Sequence, residues 1–211
     1  MNVDRDVDAR IDAVVIGASA GGLEALLLML PKIPARGSVV FFVVVHIPRE
    51  RPSPLAGLLA ARCAAEVVEA QDKQPVIAGT IYVAPPDYHL LIEDRSQIAL
   101  STDDAVHFSR PSIDVLFESA VDVYGSRMLG VVLSGANDDG SAGLARIRDA
   151  GGVTVIQDPA SARFPAMPEA ALARSEPHAV LDPDAIGELF RRIVNNRSTL
   201  QGRREKEDPL C

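Results

Sequence analysis

Apolar runs of strand length alternate with helix-period segments along most of this chain. Ile11–Ile16 reads as a first strand. Leu23–Leu30 is apolar nearly all round, which predicts a buried helix, and Pro31 and Pro34 close it. Val39–Val45 is apolar at every position, the pattern of a central strand covered on both faces. Pro54–Cys63 predicts a second helix and Glu66–Glu69 a short strand.

The middle differs. Thr80–Ala84, Tyr88–Glu93 and Gln97–Ser101 are short and are separated by Pro85-Pro86-Asp87 and Asp94-Arg95-Ser96. Such turn clusters predict an inserted antiparallel hairpin or meander. Ser112 then caps a predicted helix, Ile113–Tyr124. Met128–Leu133 reads as a buried strand, Ser141–Ala150 as a helix stopped by Gly151-Gly152, and Val153–Gln157 as another strand. Pro168–Arg174, Ala179–Leu181 and Ile186–Val194 complete the pattern. It predicts an α/β fold: a doubly wound, mainly parallel sheet with helices on both faces and an inserted antiparallel hairpin. One domain is expected over residues 11–194, with an N-terminal tail over 1–10 and a flexible, charged C-terminal tail over 195–211.

Composition narrows the classes. Hydrophobic residues make up 47% and charged residues 24%, a globular balance. A net charge of -8 argues against nucleic-acid binding. Cys63 and Cys211 are the only cysteines and form no C-x-x-C pair, so a reducing compartment is the simple inference. No run is long enough to cross a bilayer, and the acidic N-terminus has no signal-peptide core. A cytoplasmic protein without membrane insertion is expected.

Candidate chemistry lies where the buried runs end. In open parallel sheets, ligands bind beyond the carboxyl ends of the strands. The first run leads into Gly17-Ala-Ser-Ala-Gly21, a G-x-S-x-G turn that lifts the Ser19 hydroxyl above a sheet edge. Val43-Val44-Val45 delivers His46, with Pro48 just after. Val131-Val132-Leu133 delivers Ser134 to Gly140, including Asp138 and Asp139. Serine needs a base within hydrogen-bond reach, and the base needs a carboxylate to fix its tautomer. Ser19, His46 and one of Asp138 or Asp139 form a chemically complete set. Singly, each has a plainer reading: Ser19 as a helix cap, His46 as a strand-end histidine, the aspartates as turn residues. Their coincidence at strand ends shifts the balance to catalysis. His89, His107 and His178 are competing bases and rank lower. The order Ser…His…Asp disfavours an α/β-hydrolase, and Ser19 stands where a dinucleotide fingerprint needs glycine. A plain phosphate nest at this turn stays open.

These segments resemble the catalytic domain of the CheB-type chemotaxis receptor methylesterases. The resemblance rests on Gly17-Ala-Ser-Ala-Gly-Gly22, Val45-His46-Ile47-Pro48, Tyr82-Val-Ala-Pro85 with Asp87 and His89, Arg110-Pro-Ser-Ile-Asp-Val-Leu-Phe117, Leu133-Ser-Gly135 with Asp138-Asp-Gly140, and Ala166-Met167-Pro168. It implies a hydrolase that removes methyl groups from glutamate methyl esters on receptor signalling helices, releasing methanol, and that deamidates selected receptor glutamines. Ser19 is the implied nucleophile, His46 the base and Asp139, directly before Gly140, the orienting carboxylate. Ala136 is the implied oxyanion donor through its backbone N–H. Ala20 and Met167 are further candidates for oxyanion or substrate contacts. Arg110 has two open readings, steering an acidic receptor surface or a structural ion pair. No metal or organic cofactor is expected.

The implied partners are the cytoplasmic domains of methyl-accepting receptors, with a methyltransferase or a separate regulator as others. Two departures stand out. Ala20 replaces the threonine of many members, leaving only a backbone N–H. The usual receiver domain has no counterpart in the few residues before Ile11, so a stand-alone catalytic domain is expected. The rival readings are a catalytically silent binding module of the same fold and a small-molecule esterase.

Overall fold

The computed structural model describes residues 11–46 and 54–207, with side chains described as far as Arg197. Expectations for residues 1–10, for Ile47 and Pro48, and for 208–211 lie outside the described residues. Seven parallel strands form the main sheet in the order β3-β4-β2-β1-β7-β8-β9. They are β1 (Ala13–Ala18), β2 (Val40–Val45), β3 (Glu66–Glu69), β4 (Thr80–Val83), β7 (Met128–Val132), β8 (Val153–Gln157) and β9 (Ala179–Leu181). β5 (His89–Ile92) and β6 (Ile98–Ser101) make a separate antiparallel hairpin.

The doubly wound class is as expected. The one difference of grouping concerns Thr80–Val83, which the turn-rich context assigns to the inserted hairpin. Instead β4 pairs in parallel with both β2 and β3. Its four residues, Thr80 to Val83, are all buried, and a strand buried at every position belongs inside a covered sheet.

Six helices surround the sheet among the described residues: α1 (Gly22–Met29), α2 (Leu55–Ala60), α3 (Ile113–Tyr124), α4 (Ser141–Asp149), α5 (Ala166–Arg174) and α6 (Pro183–Glu207). Alternate residues of each central strand feed opposite cores. Val14, Ile16, Phe41 and Val43 pack with Leu26, Met29 and Phe190 on the face of α1 and α6. Val15, Phe42 and Val44 pack with Leu116, Phe117 and Leu144 on the face of α3 and α4. Burying each such side chain stabilises the fold by roughly 1.5–3 kcal/mol, which makes the two-sided sheet the rigid frame of the molecule.

The last helix departs from expectation. The sequence pattern ends it at Val194 and begins a flexible tail at Asn195, whereas α6 runs on to Glu207. Arg, Gln, Glu and Lys are good helix formers even where no apolar stripe is left, and Arg197 is anchored by an ion pair with Asp12.

β1 is the switch point of the topology: β2 flanks it on one side and β7 on the other. The two halves of the sheet diverge there, so a crevice opens beyond its carboxyl end.

Candidate active site

Register brings the predicted residues together. Ala18 pairs with Val45 and Gly17 with Val132, so the residues that follow β1, β2 and β7 emerge side by side. The backbone N–H of His46 donates to the Ala18 carbonyl at 3.1 Å, and that of Ser19 to the Ser134 carbonyl at 3.0 Å. Ser19 thus stands between His46 and the Ser134–Gly140 loop, half-buried.

His46 and Asp139 meet directly, with Nε2 2.8 Å from Oδ2. The Asp139 side chain is wholly buried. Its Oδ2 also accepts the Ile113 N–H at 2.8 Å, while Oδ1 accepts the Asp114 N–H and the Ser112 hydroxyl, each at 2.9 Å. Four donors therefore surround one carboxylate, two of them backbone N–H groups at the positive end of α3. Burial pushes the Asp139 carboxyl up, but the His46 bond and the N–H groups of Asp114 and Ile113 outweigh it and hold it below the ordinary range. An ionised carboxylate only accepts, so Nε2 of His46 carries the proton it shares with Asp139. The lone pair of the ring is then on Nδ1. Among the described residues the Ser19 hydroxyl makes no hydrogen bond to that ring.

Two glycines allow this closeness. A Cβ on Gly17 would lie 2.2 Å from Ile113 Cγ2, so only glycine lets the first residue of α3 sit against the end of β1. Gly140, at φ 92, turns the chain into α4 and would also meet Ile113, at 2.6 Å. α3 thereby delivers its N-terminus to Asp139.

The other histidines have different surroundings. His89 is buried, accepts the Ser112 N–H at Nδ1 and lies 3.1 Å from the Asp104 carbonyl through Nε2. His178 accepts the Thr154 N–H. His107 lies 3.4 Å from Asp114 and 3.2 Å from Asp138, so Asp138 faces a different imidazole from Asp139. His107, Asp114 and Asp139 bring ligand-type atoms within 4.8 Å of one another, but a cation there would displace the donors already bound to Asp139.

Of the remaining candidates, Ala136 is exposed at the rim and Ala20 is half-buried. Met167 is fully buried, and its side chain fills the space beneath Gly135. Arg110 donates to Asp87 through Nε and Nη2, and through Nη1 to the carbonyls of Thr102 and Asp103. Those bonds fit the structural of its two readings.

Three supporting residues escaped the sequence pattern. Ser112, expected only as a helix cap, receives the Val115 N–H as a cap and also gives its own proton to Asp139. The Ser134 hydroxyl donates to the Ala20 carbonyl at 2.8 Å and receives the Phe164 N–H at 3.0 Å. Gln157 accepts the Ser134 N–H at 2.9 Å and so braces that strand end. The sequence signal for Ser134 and Gln157 is a polar residue directly after, or at the end of, a buried run, and for Ser112 it is the cap position before a helix.

The model of the CheB methylesterase family matches residues 14–190. The chain belongs to the CheB methylesterase family. A Leptospira interrogans protein is 42% identical over 185 residues, covering 88% of this chain and 96% of its own, and bears the provisional name protein-glutamate methylesterase/protein-glutamine glutaminase. The Symbiobacterium thermophilum protein-glutamate methylesterase/protein-glutamine glutaminase is 37% identical over 86% of this chain, which spans 50% of that relative's length. The crystal structure of the Thermotoga maritima CheB methylesterase catalytic domain superposes with a TM-score of 0.83 at 28% identity, covering 87% of this chain and 99% of that one. The CheB fold thus accounts for the sheet and the surrounding helices of this family member.

Proposed function

We propose that this chain hydrolyses glutamate methyl esters on the cytoplasmic signalling helices of chemoreceptors, with Ser19 as nucleophile, His46 as base and Asp139 as orienting carboxylate. The observation that carries the reading is the 2.8 Å bond between His46 Nε2 and a buried, fully solvated-by-protein Asp139, one strand away from Ser19. Names of relatives support the substrate class, since they pair glutamate methylesterase with glutamine glutaminase.

Nδ1 of His46 takes the Ser19 proton as the hydroxyl oxygen attacks the ester carbonyl. The tetrahedral oxyanion is received by backbone N–H groups at Ala20 and Ala136. Its collapse breaks the bond to methoxide, which leaves as methanol with the proton from His46. Water then attacks the glutamyl-serine ester under the same base and frees the glutamate. Glutamine follows the same path with ammonia as leaving group. Base catalysis of this kind contributes about 10²–10⁴ in rate and an oxyanion donor about 10²–10³. Asp139 keeps the tautomer and steadies the imidazolium. The cycle uses only the chain's own groups, in the cytoplasm, with a methyltransferase or a separate regulator as the accompanying partner.

The test is methanol release from a methylated receptor. Wild type releases it and Ser19→Ala does not, while a fluorophosphonate labels Ser19 only when His46 is present. Wild type silent on several cognate receptors and unlabelled would make the protein a binding module. Rapid turnover of small esters without receptor activity would make it a small-molecule esterase.

A further inference from the structure

The opposite end of the sheet holds a second concentration of charge. Asp12 precedes β1 there and is 7% exposed. Its carboxylate receives Arg127 Nε at 2.5 Å and Arg127 Nη2 at 3.0 Å. Arg95 Nη1 donates to the same group at 2.8 Å, and Arg197 Nη2 pairs with its Oδ1. The three arginines come from the β5–β6 turn, the loop before β7 and α6. Sequence offers no hint of this convergence.

Charge does not balance among these groups. Burial pushes the Asp12 carboxyl up, but the bonds from Arg127 and Arg95 and the charges of Arg197 and Arg127 hold it below the ordinary range. Among the described residues, Asp12 is the one carboxylate in direct contact with three guanidiniums, which never deprotonate, and Asp94 is the next, close enough to act on Tyr124. A pocket of about 330 Å³ opens beside them, lined also by Ser38 and Tyr124. Two polar atoms at this pocket, Ser38 Oγ and Arg197 Nε, are buried without a hydrogen-bond partner among the described residues. Native structures rarely leave such atoms bare, and an unplaced ion or water is a usual reason.

Even with Asp94 counted, these described groups carry an excess of positive charge in a protein whose net charge is -8. Guanidinium forks match carboxylate and phosphate oxygens alike, but a phosphate group brings three acceptor oxygens and nearly two charges, enough to answer several guanidiniums at once. Tyr124 adds a hydroxyl that burial pushes up to about 12, so it stays a donor. The pocket exceeds what a bare phosphate fills, and the Tyr124 ring, already under the Arg95 guanidinium at 5.1 Å, offers an apolar wall. We propose that this pocket is a binding site for a small phosphate-bearing anion, at the end of the sheet remote from Ser19. The occupant joins the hairpin turn and α6 to the foot of β1, neutralises the arginines and satisfies the two bare donors. This inference is independent of the ester chemistry.

Calorimetric titration and thermal melting of the full chain in low-chloride buffer test it, with inorganic phosphate and adenosine monophosphate as probes. The two probes distinguish a free phosphate from a phosphomonoester as occupant. The expected result is saturable heat and a rise in melting temperature that sodium chloride at equal ionic strength does not reproduce. Arg95→Gln, at a half-exposed side chain, weakens binding at least about tenfold, the loss of one charge-assisted hydrogen bond. Tyr124→Phe, which keeps the ring, weakens it less. Melting that tracks ionic strength alone, or saturation unchanged in Arg95→Gln and Tyr124→Phe, overturns the proposal and leaves the cluster as an ion-pair staple.

Discussion

The two ends of β1 each carry a buried aspartate, and the two are solvated in opposite ways. At the carboxyl end Asp139 meets four donors, only one of them ionisable, and passes its influence to a single imidazole. At the amino end the Asp12 carboxylate meets, among the described residues, three guanidiniums and is outnumbered by them. Neutral backbone donors from α3 stabilise Asp139 without fixing the charge of its partner imidazole, as the proposed role of His46 as base requires. Guanidiniums cannot take and return a proton. A carboxylate held mainly by N–H groups suits chemistry, whereas one held by arginines suits anchoring or anion capture.

Asp139→Asn breaks this contrast most sharply. The amide places N–H groups where a donor already points, and His46 is left in the wrong tautomer. Methanol release should fall about 10⁴-fold, the loss typical when a triad carboxylate becomes an amide. Chemical denaturation should also show lower stability, because buried donors at Ile113 or Asp114 lose their acceptor. Activity within tenfold of wild type would remove Asp139 from the mechanism.

Asp12→Asn probes the other end. Losing the carboxylate that three guanidiniums share should destabilise by about 3 kcal/mol, the low end for breaking a buried pair, since Arg95 and Arg127 can turn to solvent. Turnover per folded molecule should be unchanged. The pH dependence follows in sign. Asp12 and Asp139 both have depressed carboxyls, so their stabilisation is full above the unfolded value, near 4, and is lost as pH falls below it. Asp114, whose carboxyl burial pushes up, acts in the opposite sense and partly offsets that loss. Urea midpoints from pH 7 to 3 should drop steeply for wild type and less so for Asp12→Asn; parallel curves would mean that Asp12 contributes nothing.

Much of this contrast was half legible in the sequence. Buried runs ending in Ser19, His46 and the Ser134–Gly140 loop are local features, and parallel pairing does the rest. The helix Ile113–Tyr124 and the strands Glu66–Glu69 and Val153–Gln157 match the pattern to the residue, because apolar period and turn residues agree there. The spacing alone did not separate Asp138 from Asp139; the family resemblance pointed to Asp139, and in the structure it is Asp139 that meets His46. Ser112 read as a cap because nothing local tells that Asp139 lies opposite the start of α3. The arginine cluster was wholly hidden. Arg95 and Arg197 are ordinary polar residues in their own segments, and only the fold places both on Asp12.

Gly17→Ala tests whether the close approach of α3 is what aligns the carboxyl end. The added methyl would meet Ile113 Cγ2 at 2.2 Å in a packed core. Overpacking of this sort destabilises by roughly 1–3 kcal/mol. Ile113 also donates to Asp139, so turnover should drop more than folded fraction does. Equal losses of both would mean that α3 moves as a body and carries Asp139 with it.

The smallest expected effect concerns the turn Val106–Ser109, whose outer residues exchange backbone hydrogen bonds at 3.1 and 2.8 Å. His107 and Phe108 both lie in the left-handed region, at φ 48 and 59. A two-residue turn with both φ positive is the primed hairpin type, which prefers Asn-Gly because bulky side chains are strained there. His107 is compensated by its contacts with Asp114 and Asp138. Phe108 is fully exposed and gains nothing from burial. Phe108→Gly should therefore raise stability by about 0.5 kcal/mol, relief of strain offset in part by the greater freedom of glycine in the unfolded chain. His107→Gly should lower it, since the same relief is outweighed by the lost carboxylate contacts. A Phe108→Gly variant that melts lower than wild type would show that the ring is held in place by an interaction worth more than the strain.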